Sequence, residues 1–377
     1  MPPRAEVLYT PPIEEVKFYT DKEGKRSTVI MFPGQGTQYV GMGKELCTDD
    51  NSEVQTLYRE AEEVFGRSLL GLTEEDLSKT LWAQPAIFVH SEARRLVLAK
   101  QNPVTPPFYL GNSLGIYNAL YAAGAFHSFK DALFLIKARA ESMQKACDLV
   151  ETGLFAFLIR LKDGQTISEK QKAAFEELRE RFTNNDLGRY LEADINESQF
   201  VAGATKANIA EMKQEYEEWL QNWAQEEGYE DVEQARNDLG FAFVDIDVSG
   251  AFHSPYMTND RADRDFKLKL MKTRFRKTRV PVIANTTALP IQTPEEIREE
   301  LYDHLDKPVL LRQSFDFLES QGVKILWDIG EKGVMARIAR ARGKMDIRRV
   351  AVGASAAAGA AAITIAVVYF RRRREKY

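Results

Sequence analysis

Pro107-Phe108-Tyr109-Leu110-Gly111-Asn112-Ser113-Leu114-Gly115-Ile116-Tyr117 is the stretch on which the fold turns. Residues 107–110 are a short apolar run closed by glycine, which reads as a buried strand. Residues 117–125 are small and apolar and read as a helix. Between them stands G-x-S-x-G, in the strand–turn–helix setting that a nucleophile elbow requires. The glycines allow a sharp, strained turn that lifts Ser113 Oγ clear of the sheet edge. The helix behind it aims backbone N–H groups and a positive dipole end at a developing oxyanion.

The same grammar repeats outward from the elbow. Upstream, residues 27–32 (STVIMF) read as a buried strand ending in the turn Pro33-Gly34-Gln35-Gly36. Residues 43–81 are helical in pattern, and 86–98 read as a buried helix after Pro85. Downstream lie a helix over 131–148, a strand over 280–285, a helix over 294–305, a strand over 324–329 and a helix over 332–342. Strand, turn and helix in alternation are the mark of an α/β protein. The middle differs: 154–161 and 199–202 read as strands, 169–182 and 207–225 as charged amphipathic helices. Residues 152–248 therefore read as a smaller α+β lobe inserted into a large α/β lobe built from 28–151 and 249–347. Residues 211–233 hold nine acidic residues and one lysine, read as a solvated face.

With 377 residues, 44% of them hydrophobic, and a net charge of −5, the chain is no disordered polymer. The acidic balance speaks against nucleic-acid binding. Two cysteines, Cys47 and Cys147, build neither a disulfide framework nor a cysteine-rich metal site, and no metal is expected. Of four histidines, His253 lies in the turn-rich loop Val248-Ser249-Gly250-Ala251-Phe252-His253-Ser254-Pro255 and is the candidate base for Ser113. His90 reads as a packed core residue, His127 as a cap at a helix end, and His304 as an exposed residue of an acidic helix.

A mean hydropathy of −0.37 conceals one local exception. Residues 350–370 are 21 positions without a charge, bounded by Arg348 and Arg349 on one side and Arg371 to Arg374 on the other. As a helix the run is about 31 Å long, the thickness of a bilayer core. Tyr369 and Phe370 stand where interfacial aromatics are found. Residues 350–370 are therefore expected to be a C-terminal transmembrane helix inserted in a lipid bilayer. Ala351, Ser355 and Gly359 form a small-residue face suited to a further helix in the membrane. The N-terminal arm, 1–27, is acidic and has no apolar run, so it resembles neither a secretory signal nor a transit peptide. Together these features point to a tail-anchored protein at a mitochondrial membrane, with the endoplasmic reticulum as the alternative.

A set of motifs in fixed order resembles the malonyl-CoA:acyl-carrier-protein transacylases and related acyltransferase domains. They are Phe32-Pro33-Gly34-Gln35-Gly36-Thr37-Gln38 with Gly41-Met42-Gly43, Gln84-Pro85-Ala86, the Ser113 elbow, Arg139 before Met143-Gln144, Gly250-Ala251-Phe252-His253-Ser254, and Asp328-Ile329-Gly330. The resemblance covers roughly residues 28–342. It implies an α/β-hydrolase-like large lobe with an inserted ferredoxin-like small lobe. It also implies a Ser113–His253 dyad, an oxyanion hole from the backbone N–H groups of Gln35 and Leu114, and an Arg139 that binds the acyl carboxylate. Gln84 and Phe252 would line the substrate site, and the histidine would be oriented by a backbone carbonyl, placed at the strand end near Asn285. Malonyl-CoA is then the substrate, acyl carrier protein the acceptor and partner, and no cofactor is bound. Phe252 beside the base would crowd an α-methyl branch and favour malonyl over methylmalonyl groups.

Three positions depart from the family pattern: Asn112 for the usual histidine, Ile116 for the usual glutamate, and Gly330-Glu331-Lys332 for a Gly-Pro-Gly turn. Residues 261–279 carry nine basic residues against Asp263 and Asp265, which suits docking of an acidic carrier or coenzyme A phosphates and equally a plain solvated helix. Three functions follow: a membrane-tethered malonyl transacylase serving fatty acid synthesis, a transacylase-fold subunit that scaffolds or recruits carrier protein, and a serine esterase with an acidic third residue.

Overall fold

Val29, Ile30, Met31 and Phe32 form an unbroken apolar run and are all buried, which requires a strand covered on both faces. The structure is a computed structural model, and it describes residues 27–349 apart from 49–50, 102–105, 162–165, 247, 259–261 and 344. The chain opens on β1 (Ser27–Phe32) and runs through α1 (Ser52–Phe65), α2 (Glu74–Ser78) and α3 (Thr80–Gln101) to β2 (Phe108–Gly111), α4 (Gly115–Ala123) and α5 (Phe129–Leu149). Then come β3 (Thr152–Ile159), α6 (Glu169–Phe182), β4 (Tyr190–Asn196), β5 (Gln199–Thr205), α7 (Lys206–Glu226), α8 (Val232–Leu239) and β6 (Phe241–Ile246). The return comprises α9 (Arg264–Lys272), β7 (Val282–Ile283), β8 (Pro290–Ile291), α10 (Pro294–Asp303), β9 (Val309–Leu310), α11 (Leu311–Ser320), β10 (Val323–Asp328), α12 (Val334–Ala341) and β11 (Asp346–Arg349).

Two sheets result, and the fold is α/β with two lobes. The first has the order β11-β10-β1-β2-β7-β8 and is parallel except where β8 turns back on β7. Phe32 and Gly111 are register partners at the carboxyl ends of β1 and β2. The Gln35 turn and the Ser113 elbow thus leave the sheet side by side, at the edge where open α/β sheets place their ligands. The second sheet has the order β6-β3-β5-β4-β9. Its first four strands are antiparallel, with α6 and α7 as crossovers, a split βαββαβ arrangement. A cluster of phenylalanines holds α6 and α7 against it: Phe155, Phe157, Phe175, Phe182 and Phe200 are fully buried. Each contributes roughly 1.5–3 kcal/mol by leaving water.

The fifth strand of this sheet differs from the expected division of the chain. β9 belongs to the returning segment, yet it pairs in parallel with β4 through Ala193–Val309 and Asp194–Leu310. Two residues carry no periodicity, so the sequence holds no trace of this seam. Likewise α3 begins at Thr80 and contains Pro85, where the sequence suggests a start after the proline. The expected membrane span at 350–370 and nearly all of the N-terminal arm lie outside the described residues. Among the described residues no helix is long and apolar enough to cross a membrane.

Candidate active site

Ser113 sits between β2 and α4 with φ of 50°, a left-handed conformation that side chains avoid. The flanking glycines are demanded by close approach. A Cβ on Gly111 would meet the Gly115 carbonyl carbon at 2.1 Å, and one on Gly115 would meet Phe32 O at 2.3 Å. The Asn285 side chain clamps the turn: its Oδ1 accepts the Ser113 N–H at 2.7 Å, and its Nδ2 donates to Gly111 O at 2.7 Å. Asn285 is itself fixed by the buried Glu300, whose carboxylate accepts the Asn285 N–H at 2.7 Å and the Thr286 hydroxyl.

His253, also left-handed with φ of 55°, brings Nε2 to 2.6 Å from Ser113 Oγ. Its Nδ1 lies 2.8 Å from the His304 carbonyl oxygen. With that carbonyl accepting, Nδ1 carries the hydrogen and Nε2 is left as a base toward Ser113. Burial, with Arg139 second, pushes the His253 pKa from 6.5 down to about 3. The orienting carbonyl is therefore His304's and not that of Asn285, whose own carbonyl accepts from Leu310 N–H at 2.8 Å. His304 is also not exposed: it is fully buried, its Nε2 lies 3.3 Å from Asn285 Oδ1, and its ring stands edge-on to His253 at 4.6 Å. As the C-cap of α10 it offers a carbonyl from the last turn, one of those left without an intrahelical partner.

Arg139 on α5 is fully buried. Nη1 donates to Gln84 Oε1 at 2.5 Å, while Nε and Nη2 have no hydrogen-bond partner among the described residues. The guanidinium lies 5.4 Å over the Tyr117 ring. Gln84 in turn donates to Thr80 Oγ1 at 2.7 Å, and Thr80 donates to Gln35 Oε1 at 2.8 Å. One hydrogen-bonded chain thus ties the Gln35 turn to Arg139, and Gln84 lies behind the arginine as its support. Among the described residues the N–H groups of Gln35 and Leu114 make no hydrogen bond. Gln35, Thr80, Ser249 and Phe252 line one narrow cavity. A larger cavity of about 470 Å³ lies on the small lobe between Lys213, Arg236 and Phe243 and holds none of these residues.

The sequence missed Glu192, His304, Thr80 and the Asn285 side chain. Glu192 on β4 is 9% exposed and reaches 3.8 Å from His253 Nε2, and burial pushes its carboxyl up to about 8. The remaining histidines make other contacts. His127 is exposed and accepts from Arg276 Nε at 3.1 Å; the cap of α5 is Ser128, not His127. His90 is buried beside Glu331 at 3.5 Å and Glu45 at 4.0 Å. Glu331, in the departing turn, also takes the Tyr39 hydroxyl, and its neighbours His90, Tyr39 and Arg94 hold its carboxyl down at about 2. Ile116 is buried in the core, and Asn112 packs its amide against Gly34.

Comparison with known proteins gives the family. Residues 29–153 match the acyl transferase domain family. The chain is 31% identical over 317 residues to the malonyl CoA-acyl carrier protein transacylase of Bacillus subtilis (strain 168), covering 82% of this chain and 89% of that one. It is 30% identical over 322 residues to the polyketide biosynthesis protein ThaF of Burkholderia thailandensis, covering 84% of this chain but spanning only 24% of ThaF. The crystal structure of the Synechocystis malonyl-CoA:ACP transacylase superposes with a TM-score of 0.67 at 26% identity, covering 86% of this chain and 97% of that one. An elbow serine, a carbonyl-held histidine and a buried arginine, on this fold and at this likeness, place the chain in the malonyl CoA-acyl carrier protein transacylase family of acyltransferases.

Proposed function

We propose that the protein transfers a malonyl group from malonyl-CoA to the phosphopantetheine thiol of acyl carrier protein through an acyl-enzyme on Ser113. The observation that carries this reading is Arg139, a buried guanidinium with two donor nitrogens unpaired near the dyad. An unpaired buried cation is costly, and the carboxylate of a dicarboxylic acyl group is the partner that fits it bidentately. A plain acetyl or fatty acyl group would leave it unmet.

Ser113 Oγ gives its proton to His253 Nε2 and attacks the thioester carbonyl carbon. The oxyanion meets the N–H groups of Gln35 and Leu114. The carbon–sulfur bond breaks, the imidazolium returns its proton to sulfur, and coenzyme A leaves. The carrier thiol then repeats the sequence in reverse, giving its proton to Nε2 and attacking the Ser113 ester. The His304 carbonyl holds the ring without an acidic third residue, which weighs against the esterase reading. The assembled dyad weighs against a purely scaffolding subunit. Labelled malonyl-CoA and carrier protein test the reading: label on Ser113 and then on carrier supports it, and unchanged transfer in Ser113→Ala overturns it.

The proposal includes attachment to a bilayer through residues 350–370, at mitochondria in preference to the endoplasmic reticulum, as the uncharged run and its arginine flanks suggest. Alkaline extraction of membranes from cells making the full chain tests it; release into the supernatant overturns it.

A further inference from the structure

We propose that Glu192 decides the fate of the acyl-enzyme, filling the space beside His253 Nε2 that a hydrolytic water needs, so that the acyl group passes to a thiol. The inference rests on the Ser113 acyl-enzyme of the preceding section.

Glu192 reaches the dyad from the other lobe. Strand β4 carries its Oε1 to 3.8 Å from His253 Nε2, the nitrogen that faces Ser113 Oγ at 2.6 Å. Among the described residues its carboxyl makes no hydrogen bond, although it is 9% exposed. Its neighbour Asp194 is differently placed, held by Arg179 at 3.2 Å and Arg312 at 3.0 Å. The ionisable group that faces the Glu192 carboxyl among the described residues is therefore the neutral His253, and burial is what shifts the carboxyl. Burial keeps the carboxyl protonated at neutral pH, so it occupies volume without acting as a base.

Hydrolysis needs a water within about 2.6–3.2 Å of Nε2. The water oxygen attacks the ester carbon and gives a proton to Nε2. The bond from that carbon to Ser113 Oγ breaks, Oγ recovers the proton, and free malonate leaves. At 3.8 Å from Nε2 the Glu192 oxygen borders the shell where that water must stand and narrows it on that side. A water brings no binding energy to push the side chain aside, whereas a thiol on a phosphopantetheine arm does. Truncation to alanine removes four side-chain heavy atoms and opens room for at least one water, at about 30 Å³ each. Ionisation changes the balance: a buried carboxylate needs hydration that the neutral carboxyl does not, so it would draw a water in beside Nε2, where that water can give up its proton and hydrolysis is promoted.

The test uses the full chain loaded with labelled malonyl from malonyl-CoA. Loss of label is followed without acceptor and with pantetheine. Glu192→Ala should raise hydrolysis relative to transfer by about tenfold or more, within the reach of an admitted general-base water. Glu192→Gln, isosteric and neutral, should keep the wild-type ratio at pH 7. Above about pH 8 the wild-type ratio should shift toward hydrolysis while Glu192→Gln stays flat. An unchanged ratio in a normally loaded Glu192→Ala protein overturns the inference. If that variant does not fold, an identical alkaline rise in wild type and Glu192→Gln overturns it. Absence of label from wild-type Ser113 overturns the acyl-enzyme reading and this inference together.

Discussion

The imidazole of His253 is held at Nδ1 by the main-chain carbonyl of His304, 2.8 Å away, and among the described residues no carboxylate meets that nitrogen. A carbonyl fixes the tautomer and the ring plane, but it adds no full charge to the imidazolium that forms during catalysis. Burial, with Arg139 second, holds the pKa of His253 low against the upward pull of that carbonyl, and the base rests in its neutral, proton-accepting form.

Because the contact is main-chain, His304→Ala keeps it. Steady-state transfer should fall by about tenfold or less in that variant, whereas His253→Ala should lose at least about 10²–10⁴-fold. Equal losses in the two variants would mean that the His304 ring, and not its carbonyl, sets the base.

Asn285 holds the strained turn at both ends, at Ser113 N–H and Gly111 O. Asn285→Ala leaves these buried groups unpaired and should cost about 1–3 kcal/mol of stability. Urea unfolding measures the loss, and the acylation burst should slow at the same time because Ser113 Oγ is no longer aimed.

Arg139 is tested by exchange of substrate. Arg139→Gln should lower kcat/KM for malonyl-CoA by about 10²–10³-fold, the loss of a buried charge-assisted pair worth several kcal/mol. Activity toward acetyl-CoA should be kept or rise. Thermal stability of the free protein should not fall, since the variant removes an unpaired buried charge. A drop in malonyl and acetyl transfer by the same factor would contradict the assigned role.

The pH dependence has a definite sign. The folded pKa of His253 is about 3 against an ordinary 6.5, so the unfolded chain binds more protons between those values. Burial pushes His304 the same way, with His253 and Arg139 adding to it. Both contributions to stability are present above pH 6.5 and are lost as pH falls through 6.5 toward 3. The urea midpoint should therefore be lower at pH 5 than at pH 7. The acylation rate, which needs neutral His253, should be nearly flat over that interval; an acid limb centred at 6.5 would contradict the buried base.

Much of the protein was legible in its residues. Glycines at 111 and 115 around a serine announced a turn too tight for side chains, and the apolar runs of β1, β2 and β10 announced buried strands. The ordered motifs implied which serine, histidine and arginine to bring together. The unassigned partners were those that depend on distance through space. Nothing in an acidic helix end shows that the His304 carbonyl, and not that of Asn285, will meet the base. Nothing in β4 shows that Glu192 will cross from one lobe to the dyad of the other. Local pattern determines elements because hydrophobic period and backbone sterics act within a few residues. The lobe seam, the two-residue β9, the clamp by Asn285 and the burial that shifts His253 and Glu192 were decided only by tertiary packing, which joins segments more than a hundred residues apart.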